Sequence, residues 1–366
     1  SISGSTATLD STAGTAASVC VASLGGAMGL NSTLDDDLFE KFTAVNGTGA
    51  NRIFVKQGTY ALGEALAIAA SGATLAPIVI EGYASVRGDR PLGSTRPLIS
   101  TTNSITSGQQ YAWISMSFYN PTNATLVLQA NGTLLDSKVM FTGTTVGREA
   151  ILISANGNYL SGVEAVSLRG SAIRNSAITT FRKMYVHNSN TAFLHDTNAT
   201  VQTSDSVLEG NATGISHTVA QTVPAWIDHV TFYGAENKLG TCINYAASTT
   251  IVRVTNSILY GCTTGVTHAN TQTIAFDDWN DYFNNTADIN VAGRWSKGSH
   301  DVAVDPSFVN MIQRTGSTAT TTSGNHLVQS GATFQTWSVT PGVDFLYVTS
   351  GTGVTVGNYE ILTVDS

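Results

Sequence analysis

The amino-acid sequence predicts an all-β protein built as a parallel β-helix. The first observation is a short apolar and Ser/Thr-rich phrase, ending in Gly or Asn, that returns about every two dozen residues. A fixed period in this range indicates a repeat architecture. The second is that only 11% of the residues are charged and 35 are Gly, which leaves little material for amphipathic helices. A hydrophobic fraction of 42% is still enough for a long, narrow core.

Each copy of the phrase is strand-like, because it is rich in Val, Ile, Tyr, Phe and Thr and is followed by turn residues. The phrase ends step by 23, then 45 across one weak copy, then 22, 24, 27 and 24 residues. Coils of a β-helix stack at about 4.8 Å, so residues 50 to 310 are expected to form about eleven coils and a shaft about 50 Å long. The copies span residues 113–120, 137–143, 183–188, 205–210, 229–234, 256–261 and 280–285.

One position in each phrase holds a large apolar residue. If the coils stack in register, these side chains form one interior column. The predicted column consists of Phe118, Phe141, Val186, Leu208, Phe232, Leu259 and Phe283.

The chain divides into four segments. Residues 1–49 lack the phrase, and the Asp run at 35–37, followed by apolar spacing at 38–42, predicts a short helix that caps the solenoid. Residues 50–312 form the β-helix, and the small polar run 313–324 is typical of a linker. Residues 325–366 are expected to form a small β module, with antiparallel strands at 344–349 and 359–364 around Gly-rich turns.

Three stretches carry a family resemblance. They are Ile53 to Tyr60, Pro77 to Tyr83 and Arg87 to Ile99, and Val304 to Asn310 is similar to a closing phrase. They resemble the coils of right-handed parallel β-helix proteins of the pectate-lyase-like superfamily, in particular those of bacteriophage virions and bacterial surfaces. The resemblance covers residues 50 to 310. It implies a fold rather than an activity.

Enzymes of this superfamily act on polysaccharides, with paired carboxylates or a calcium cluster and a basic residue. The best carboxylate group here is Asp277, Asp278 and Asp281, beside Trp279 and Tyr282. The pair resembles the Asp-Asp of polygalacturonases, but the accompanying Gly-His-Gly and Arg-Ile-Lys motifs are missing. Adjacent strand residues point to opposite faces, so only one of the pair is expected to face a groove. The alternative is a turn-and-cap role.

A second string, Trp226 to His229, is similar to one seen in pectate lyases. The Arg-X-Pro-X-X-Arg motif of those enzymes is missing, and no dense calcium cluster lies on a neighbouring coil. Trp226 and Ile227 occupy predicted core positions, so Asp228 and His229 are expected to be strand-edge partners. The tripeptide Arg87 to Asp89 spells an integrin-binding motif, which a Gly-rich chain also produces by chance.

Other sites are not predicted. Cys242 and Cys262 are 20 residues apart, less than the local coil, so buried free thiols are expected rather than a disulfide. The seven His look isolated, and no metal or cofactor motif is present. The net charge of −8 argues against nucleic acid and anionic membranes as partners.

Together these features favour a structural or appendage protein of a virion or cell surface, without catalytic residues, that associates with itself or with other surface proteins. An extracellular or virion location follows from the same hypothesis. The alternative is a carbohydrate-active depolymerase, or a glycan-binding adhesin without catalysis. In either alternative the partner is a surface glycan, and the enzyme would use Asp277, Asp278, Asp281, Asp228 and His229.

Overall fold

The computed structural model describes a solenoid between residues 52 and 308 and several short strands outside it. The described residues are 2–3, 6–7, 52–62, 66–67, 71–73, 76–143, 148–196, 198, 200–219, 223–234, 240–245, 251–268, 274–291, 295–308, 319–321, 327–329, 345–348 and 357–360. The predicted cap helix at 35–42 lies outside them. Within them no helix is long and apolar enough to cross a membrane.

Each coil contributes one strand to each of three faces, and strands of successive coils pair in parallel. The first face contains Arg52–Lys56, Ile78–Tyr83, Tyr111–Ile114, Thr133–Leu135, Asn158–Ser161, Thr179–Arg182, the first half of Val201–Glu209, the first half of Ala225–Tyr233, Ile251–Thr255 and Ile274–Asp278. The second face contains Thr59–Leu62, Leu98–Thr101, Ser117–Asn120, Lys138–Phe141, Glu164–Ser167, Tyr185–His187, the second halves of the same two long strands, Ile258–Tyr260 and Asp281–Phe283. The third face contains Leu66–Ala67, Ile105–Thr106, Leu126–Leu128, Ile151–Ile153, Ser171–Asn175, Thr191–His195, Thr213–His217, Thr241–Tyr245, Thr264–His268 and Ala287–Val291.

The parallel β-helix is therefore confirmed, but the expected number of coils is wrong. Each face has ten rungs rather than eleven, and nine steps of strand spacing give a shaft of about 43 Å. The second coil explains the difference, because Tyr60 pairs with Ile99 and the chain between them contains the exposed loop 84–90 and a 3-10 turn at Gly93–Thr95. Insertions consume residues without adding rungs.

A left-handed residue marks the corner between the first and second faces in every coil from the third to the tenth. The corner φ angles lie between 47° and 67°, and the corner residues are Ser115, Asp136, Gly162, Lys183, Asp205, His229, Asn256 and Trp279. The residue after each corner is buried, and these are Met116, Ser137, Val163, Met184, Ser206, Val230, Ser257 and Asn280. The corner thus sends two successive side chains to opposite sides of the wall.

Serines after three of the corners, in the fourth, seventh and ninth coils, tie neighbouring coils together. The Ser137 hydroxyl donates to the Leu135 carbonyl (2.7 Å) and accepts the Met116 amide of the coil before it (3.1 Å). Ser206 and Ser257 repeat both bonds, with the Met184 amide at 3.0 Å and the Val230 amide at 3.1 Å. Backbone groups that a sheet ladder would leave open at the corner are satisfied in this way.

The predicted interior column is correct for five of its seven members. Phe118, Val186, Leu208, Phe232 and Leu259 share one column, which is completed by Ile99, Val139, Ala165 and Tyr282.

Phe141 and Phe283 were assigned to this column wrongly. Phe141 is buried but pairs with Asn120, one interior position further along the strand. Phe283 follows Tyr282, so it points outward and stacks on Tyr260 with ring centroids 5.9 Å apart. The corner residue, and not the Gly or Asn at the end of the phrase, sets the register, and a slip of one residue reverses the face.

Three of the histidines that looked isolated form an aromatic stack inside the third face. His195, His217, Tyr245 and His268 occupy successive rungs, with ring centroids 4.5, 4.6 and 6.1 Å apart. Burial lowers the pKa of His195 to about 3, and it lowers the pKa of His217 well below its usual value, with the adjacent His195 adding to the shift. Both imidazoles are therefore neutral in the folded protein. The nearby carboxylate of Asp196 favours the protonated form of His195, but burial outweighs it.

Cys242 and Cys262 form a disulfide, so the expectation of free thiols is wrong. Thr241 is in register with Thr264, and Cys262 lies at the corner just before that strand. The two residues do not stack, as expected, but they approach diagonally with a Cα–Cα distance of 6.0 Å. A bridge across a loop of this size stabilises the fold by about 3 kcal/mol.

Beyond the solenoid, two antiparallel pairs are described. Phe345–Val348 pairs with Gly357–Glu360, so the predicted antiparallel pairing is present, with the second strand two residues earlier than expected. Ala319–Thr321 pairs with Leu327–Gln329, so part of the run that resembled a linker is a strand.

Replacing Phe232 with Asp should abolish soluble folding, because it buries an unpaired charge in the interior column. The matched control is Phe283→Asp, since this ring lies outside the wall and its replacement should leave the protein soluble. Soluble yield and circular dichroism of the two variants decide the register. Equal behaviour of the two variants would contradict it.

The buried histidines should make the protein less stable in acid. The unfolded chain takes up a proton on each at pH 6.5, whereas folded His195 does so only near pH 3. The two histidines therefore stabilise the fold fully above pH 6.5. Below pH 6.5 the free energy of unfolding falls by about 1.4 kcal/mol per pH unit for each histidine. In urea unfolding between pH 6.5 and 4, His195→Phe should remove one such increment from the slope, whereas Phe193→Leu, at a neighbouring buried ring that does not titrate, should leave the slope unchanged. If the natural protein and His195→Phe had the same slope, His195 would not be a neutral buried residue.

Candidate functional site on the last coils

The carboxylates singled out in the sequence lie on different sides of the last first-face strand and its corner. Asp277 points into the core and is 6% exposed, whereas Asp278 and Asp281 point outward. The expectation that only one of Asp277 and Asp278 faces outward is met.

Asp277 is held by three donors. The Tyr282 hydroxyl and the Trp295 indole nitrogen each donate to Oδ2 at 2.7 Å, and the Asn280 amide donates to Oδ1. Burial raises the pKa of Asp277 to about 6, although these hydrogen bonds oppose the rise, and nearby Asp301 adds to it. This carboxyl group serves as an internal acceptor and does not reach solvent.

The segment 295–308 closes the end of the solenoid through these same carboxylates. Trp295 is buried against Tyr245 and His268 (ring centroids 5.9 and 6.2 Å) at the end of the core. The Val302 amide donates to the Asn280 carbonyl (2.8 Å), and its carbonyl accepts the Tyr282 amide (2.9 Å), which adds a partial eleventh rung.

Two further carboxylates fasten this closing segment from outside the core. The Val304 amide donates to Asp281 Oδ1 at 3.0 Å. Asp301 accepts the Asn280 and Gly298 amides, both at 2.7 Å. Asp281, like Asp277, therefore has a position suited to capping the solenoid.

Asp228 and His229 lie on the outside of the wall. His229 Nδ1 is 3.0 Å from Asp228 Oδ2, and Asp228 Oδ1 accepts Thr255 Oγ1 (2.6 Å) and Asn256 Nδ2 (2.8 Å). Partial burial opposes ionisation of Asp228, but the bonds from Thr255, Asn256 and His229 outweigh it and lower the pKa.

Asp278 forms a similar pair. His300 Nδ1 lies 2.9 Å from Asp278 Oδ2, and the His300 ring stacks on Trp279 with centroids 4.0 Å apart. The hydrogen bond from His300 is the main reason that the pKa of Asp278 is lowered. Asp228 pairs with Thr255, which pairs with Asp278, so the two carboxylates lie in one outer column two rungs apart. The fold thus joins two groups that the sequence presented as unrelated.

An exposed aromatic column runs beside these pairs. Trp226, Arg253 and Phe276 are in register on successive rungs, and the Arg253 guanidinium lies 5.2 Å from the Phe276 ring centroid. Trp226 is 42% exposed and Phe276 54% exposed. The placement of Trp226 in the core is therefore wrong. Its neighbours Ala225 and Ile227 point inward, and strict alternation would have shown this.

We call this surface the outer strip. It consists of Trp226, Asp228, His229, Arg253, Asn256, Phe276, Asp278, Trp279 and His300. It offers open ring faces, carboxylates, imidazoles, an amide and a guanidinium along one flat wall. Within the described part of the chain, no group of three His, Cys, Asp or Glu is placed to hold a metal ion.

Sequence reasoning missed a charged cluster on the second face. Glu164 Oε1 accepts Lys138 Nζ at 3.0 Å and lies 3.1 Å from His187 Nε2. Burial of Glu164 opposes ionisation, but the bonds and charges of His187 and Lys138 lower its pKa. These residues lie on successive coils, so only the coil register reveals that they meet, and the cluster ties three coils together.

The Arg87 to Asp89 tripeptide lies in an exposed loop. The Asp89 carboxylate accepts the backbone amides of Ala84, Ser85 and Val86 at 2.8 to 3.2 Å. Asp89 therefore closes its own turn.

No family model and no curated protein matches the chain. Among solved structures, the chain is similar to a pectin methylesterase from Aspergillus niger (12% identity, TM-score 0.35, covering 74% of this chain and 87% of that one). It is also similar to a pectate lyase (12%, 0.34, 70% and 72%) and to a PL6 family polysaccharide lyase from Pseudopedobacter saltans (11%, 0.37, 74% and 77%). These likenesses concern the parallel β-helix fold alone.

Asp277→Ala should loosen the closing segment, because the Trp295 and Tyr282 donors would be buried without an acceptor, at a cost of about 2 kcal/mol. Trypsin should then cut faster after Lys297, and the urea midpoint should fall. The control is Asp305→Ala, an exposed residue of the same segment whose carboxylate accepts the Ser307 amide and, among the described residues, holds no part of the core. Cleavage as slow as in the control would show that Asp277 does not hold the segment.

Proposed function

We propose that this chain is a structural or appendage protein of a virion or cell surface, in which the β-helix is a rigid shaft and not an enzyme scaffold. The observation that carries the proposal is the unbroken hydrogen-bond ladder, which continues through the corners. The Asp136 amide donates to Ser161, the Gly162 amide to Arg182, and the Lys183 amide to Ser204, at 2.9 to 3.2 Å. A wall paired in this way resists bending and proteolysis.

Ion pairs along the axis support the same role. Arg174 bridges Glu149 (3.3 Å) on one side and Asp196 (2.6 Å) on the other, and Arg182 pairs with Asp205 (2.9 Å). Each pair joins successive coils. Such exposed pairs are individually weak, but they fix the axial register of the shaft.

The disulfide supports an extracellular or virion location. Cys242 and Cys262 are both buried and bridged. Structural disulfides form and persist in oxidising environments and are rare in the cytosol.

The uses of the carboxylates favour the shaft over the depolymerase. Asp277 and Asp281 are engaged in closing the solenoid. A hydrolase needs two carboxyl groups that both reach the sugar, and Asp277 is buried.

Self-association is part of the proposal. The segment 345–364 is rich in Phe, Leu, Tyr and Ile, and a lone hairpin is only marginally stable in water. We therefore place it against the shaft or against another copy, and we favour a homo-oligomer.

The second candidate function is glycan binding without catalysis, and the exposed outer strip favours it. Trp226 and Phe276 are exposed rings beside Asp228, Asn256 and Asp278. Aromatic faces for the apolar side of a sugar, with polar groups for its hydroxyls, are a usual composition of ligand sites.

Purified protein should release neither reducing nor unsaturated ends from acidic or neutral polysaccharides, and light scattering should give more than one protomer mass. The control is a variant with Asp228→Asn, His229→Gln, Asp278→Asn and His300→Gln, which removes both outward-facing carboxylates and the imidazoles bonded to them. Ends that appear with the natural protein and disappear with this variant would overturn the structural proposal in favour of the depolymerase. A monomer mass would overturn self-association.

A further inference from the structure

We infer that the outer strip contains two similar subsites, two coils apart, that bind one linear, neutral polysaccharide chain along the axis of the shaft. This inference rests on the second candidate function and adds the number of subsites, their spacing and the class of ligand.

The two subsites contain the same kinds of group, with their rings and carboxylates in register, although one imidazole comes from a corner of the wall and the other from the closing segment. In the first, Trp226 supplies a ring, Asp228 a carboxylate and His229 an imidazole bonded to it through Nδ1 (3.0 Å). In the second, the ring is Phe276, the carboxylate Asp278 and the imidazole His300, bonded through Nδ1 at 2.9 Å. The intervening rung has Arg253 and Thr255 at the matching positions. The repeat is therefore two rungs, or about 9.6 Å.

Each imidazole is bonded to its carboxylate through Nδ1. A carboxylate only accepts hydrogen bonds, so each ring donates through Nδ1, and Nε2 is not used in this bond. The side chains of His229 and His300 are 59% and 50% exposed. Each subsite thus places an exposed imidazole, whose Nε2 can form a hydrogen bond with a hydroxyl group, beside an aromatic ring.

The geometry of the wall favours a linear ligand. The three rungs belong to one parallel sheet, so the two rings lie along a straight line parallel to the solenoid axis. A branched or globular ligand would reach one ring, whereas an extended chain reaches both.

The charges of the outer strip favour a neutral ligand. Asp228 and Asp278 are both ionised at neutral pH, since the pKa of each is lowered, and they flank the single guanidinium of Arg253. Arg182 and Asp205, on an earlier coil, neutralise each other. With a net charge of −8 on the whole chain, the strip does not attract a polyanion.

The test is titration calorimetry with two lengths of each linear neutral glycan, cellobiose with cellohexaose and xylobiose with xylohexaose, and with hexagalacturonate as the acidic comparison. For the neutral class that binds, the disaccharide should occupy two sites per chain. The hexasaccharide should occupy one, at least about 100-fold more tightly, because the second contact is intramolecular.

Single variants separate two subsites from one. Trp226→Ala and Phe276→Ala should each return the hexasaccharide to the affinity of the disaccharide and leave one disaccharide site. Tyr159→Ala is the matched control, since this exposed ring lies in the same outer column three rungs before Trp226 and should change nothing. Circular dichroism checks that all variants fold.

One site at both lengths, sensitive to only one ring, would overturn the two subsites and leave glycan binding standing. Tighter binding of hexagalacturonate would overturn the neutral class. If no probe binds, the inference and the second candidate function both fail, while the shaft proposal is unaffected.

Discussion

The left-handed corner between the first and second faces is the constraint on which the rest of the structure depends. Outside Gly this conformation costs about 1 to 2 kcal/mol, yet seven of the eight corners are not Gly. Asp136, Asp205, His229 and Asn256 belong to the types that adopt it most readily. Each corner is compensated by the residue after it, which is buried and, at Ser137, Ser206 and Ser257, bonds the neighbouring coil. Because the corner recurs once in each coil, it fixes which side chains face inward on two faces at once.

This constraint explains which features could be predicted from sequence. Periodicity and composition were sufficient for the fold, and Leu208 and Phe232 were placed correctly because their phrases have equal length from the corner. Phe283 was misplaced because the alignment followed the end of its phrase. Trp226 was misplaced because hydrophobicity was given more weight than alternation. The number of coils depended on the insertion between Tyr60 and Ile99, which no period reveals.

The candidate site was less predictable, because its members come from different coils. Asp228 and Asp278 are 50 positions apart in the sequence, and only the pairing of both with Thr255 puts them in one column. Cys242 and Cys262 approach each other diagonally across neighbouring coils, and the length of the coil alone does not predict this approach. In a solenoid, local sequence determines the face on which a residue lies, whereas the lengths of the intervening loops determine its neighbours.

The narrow core contains titratable groups whose pKa values are shifted by burial. A solenoid buries titratable groups such as Asp277, His195 and His217 because its interior is lined by every strand, and burial shifts their pKa values in opposite directions for acid and base. Between pH 4 and 6, folded Asp277 retains a proton that the unfolded chain has lost, so its contribution to stability falls as the pH rises. The histidines contribute the reverse dependence over the same range. Near neutral pH the two histidines therefore contribute their full stabilisation and Asp277 contributes least, while Asp228 and Asp278 on the wall are ionised. The closing segment links the core to the outer wall, since Trp295 binds Asp277 inside while His300, five residues later, binds Asp278 outside. The second half of the outer strip thus exists only when the end of the solenoid is closed.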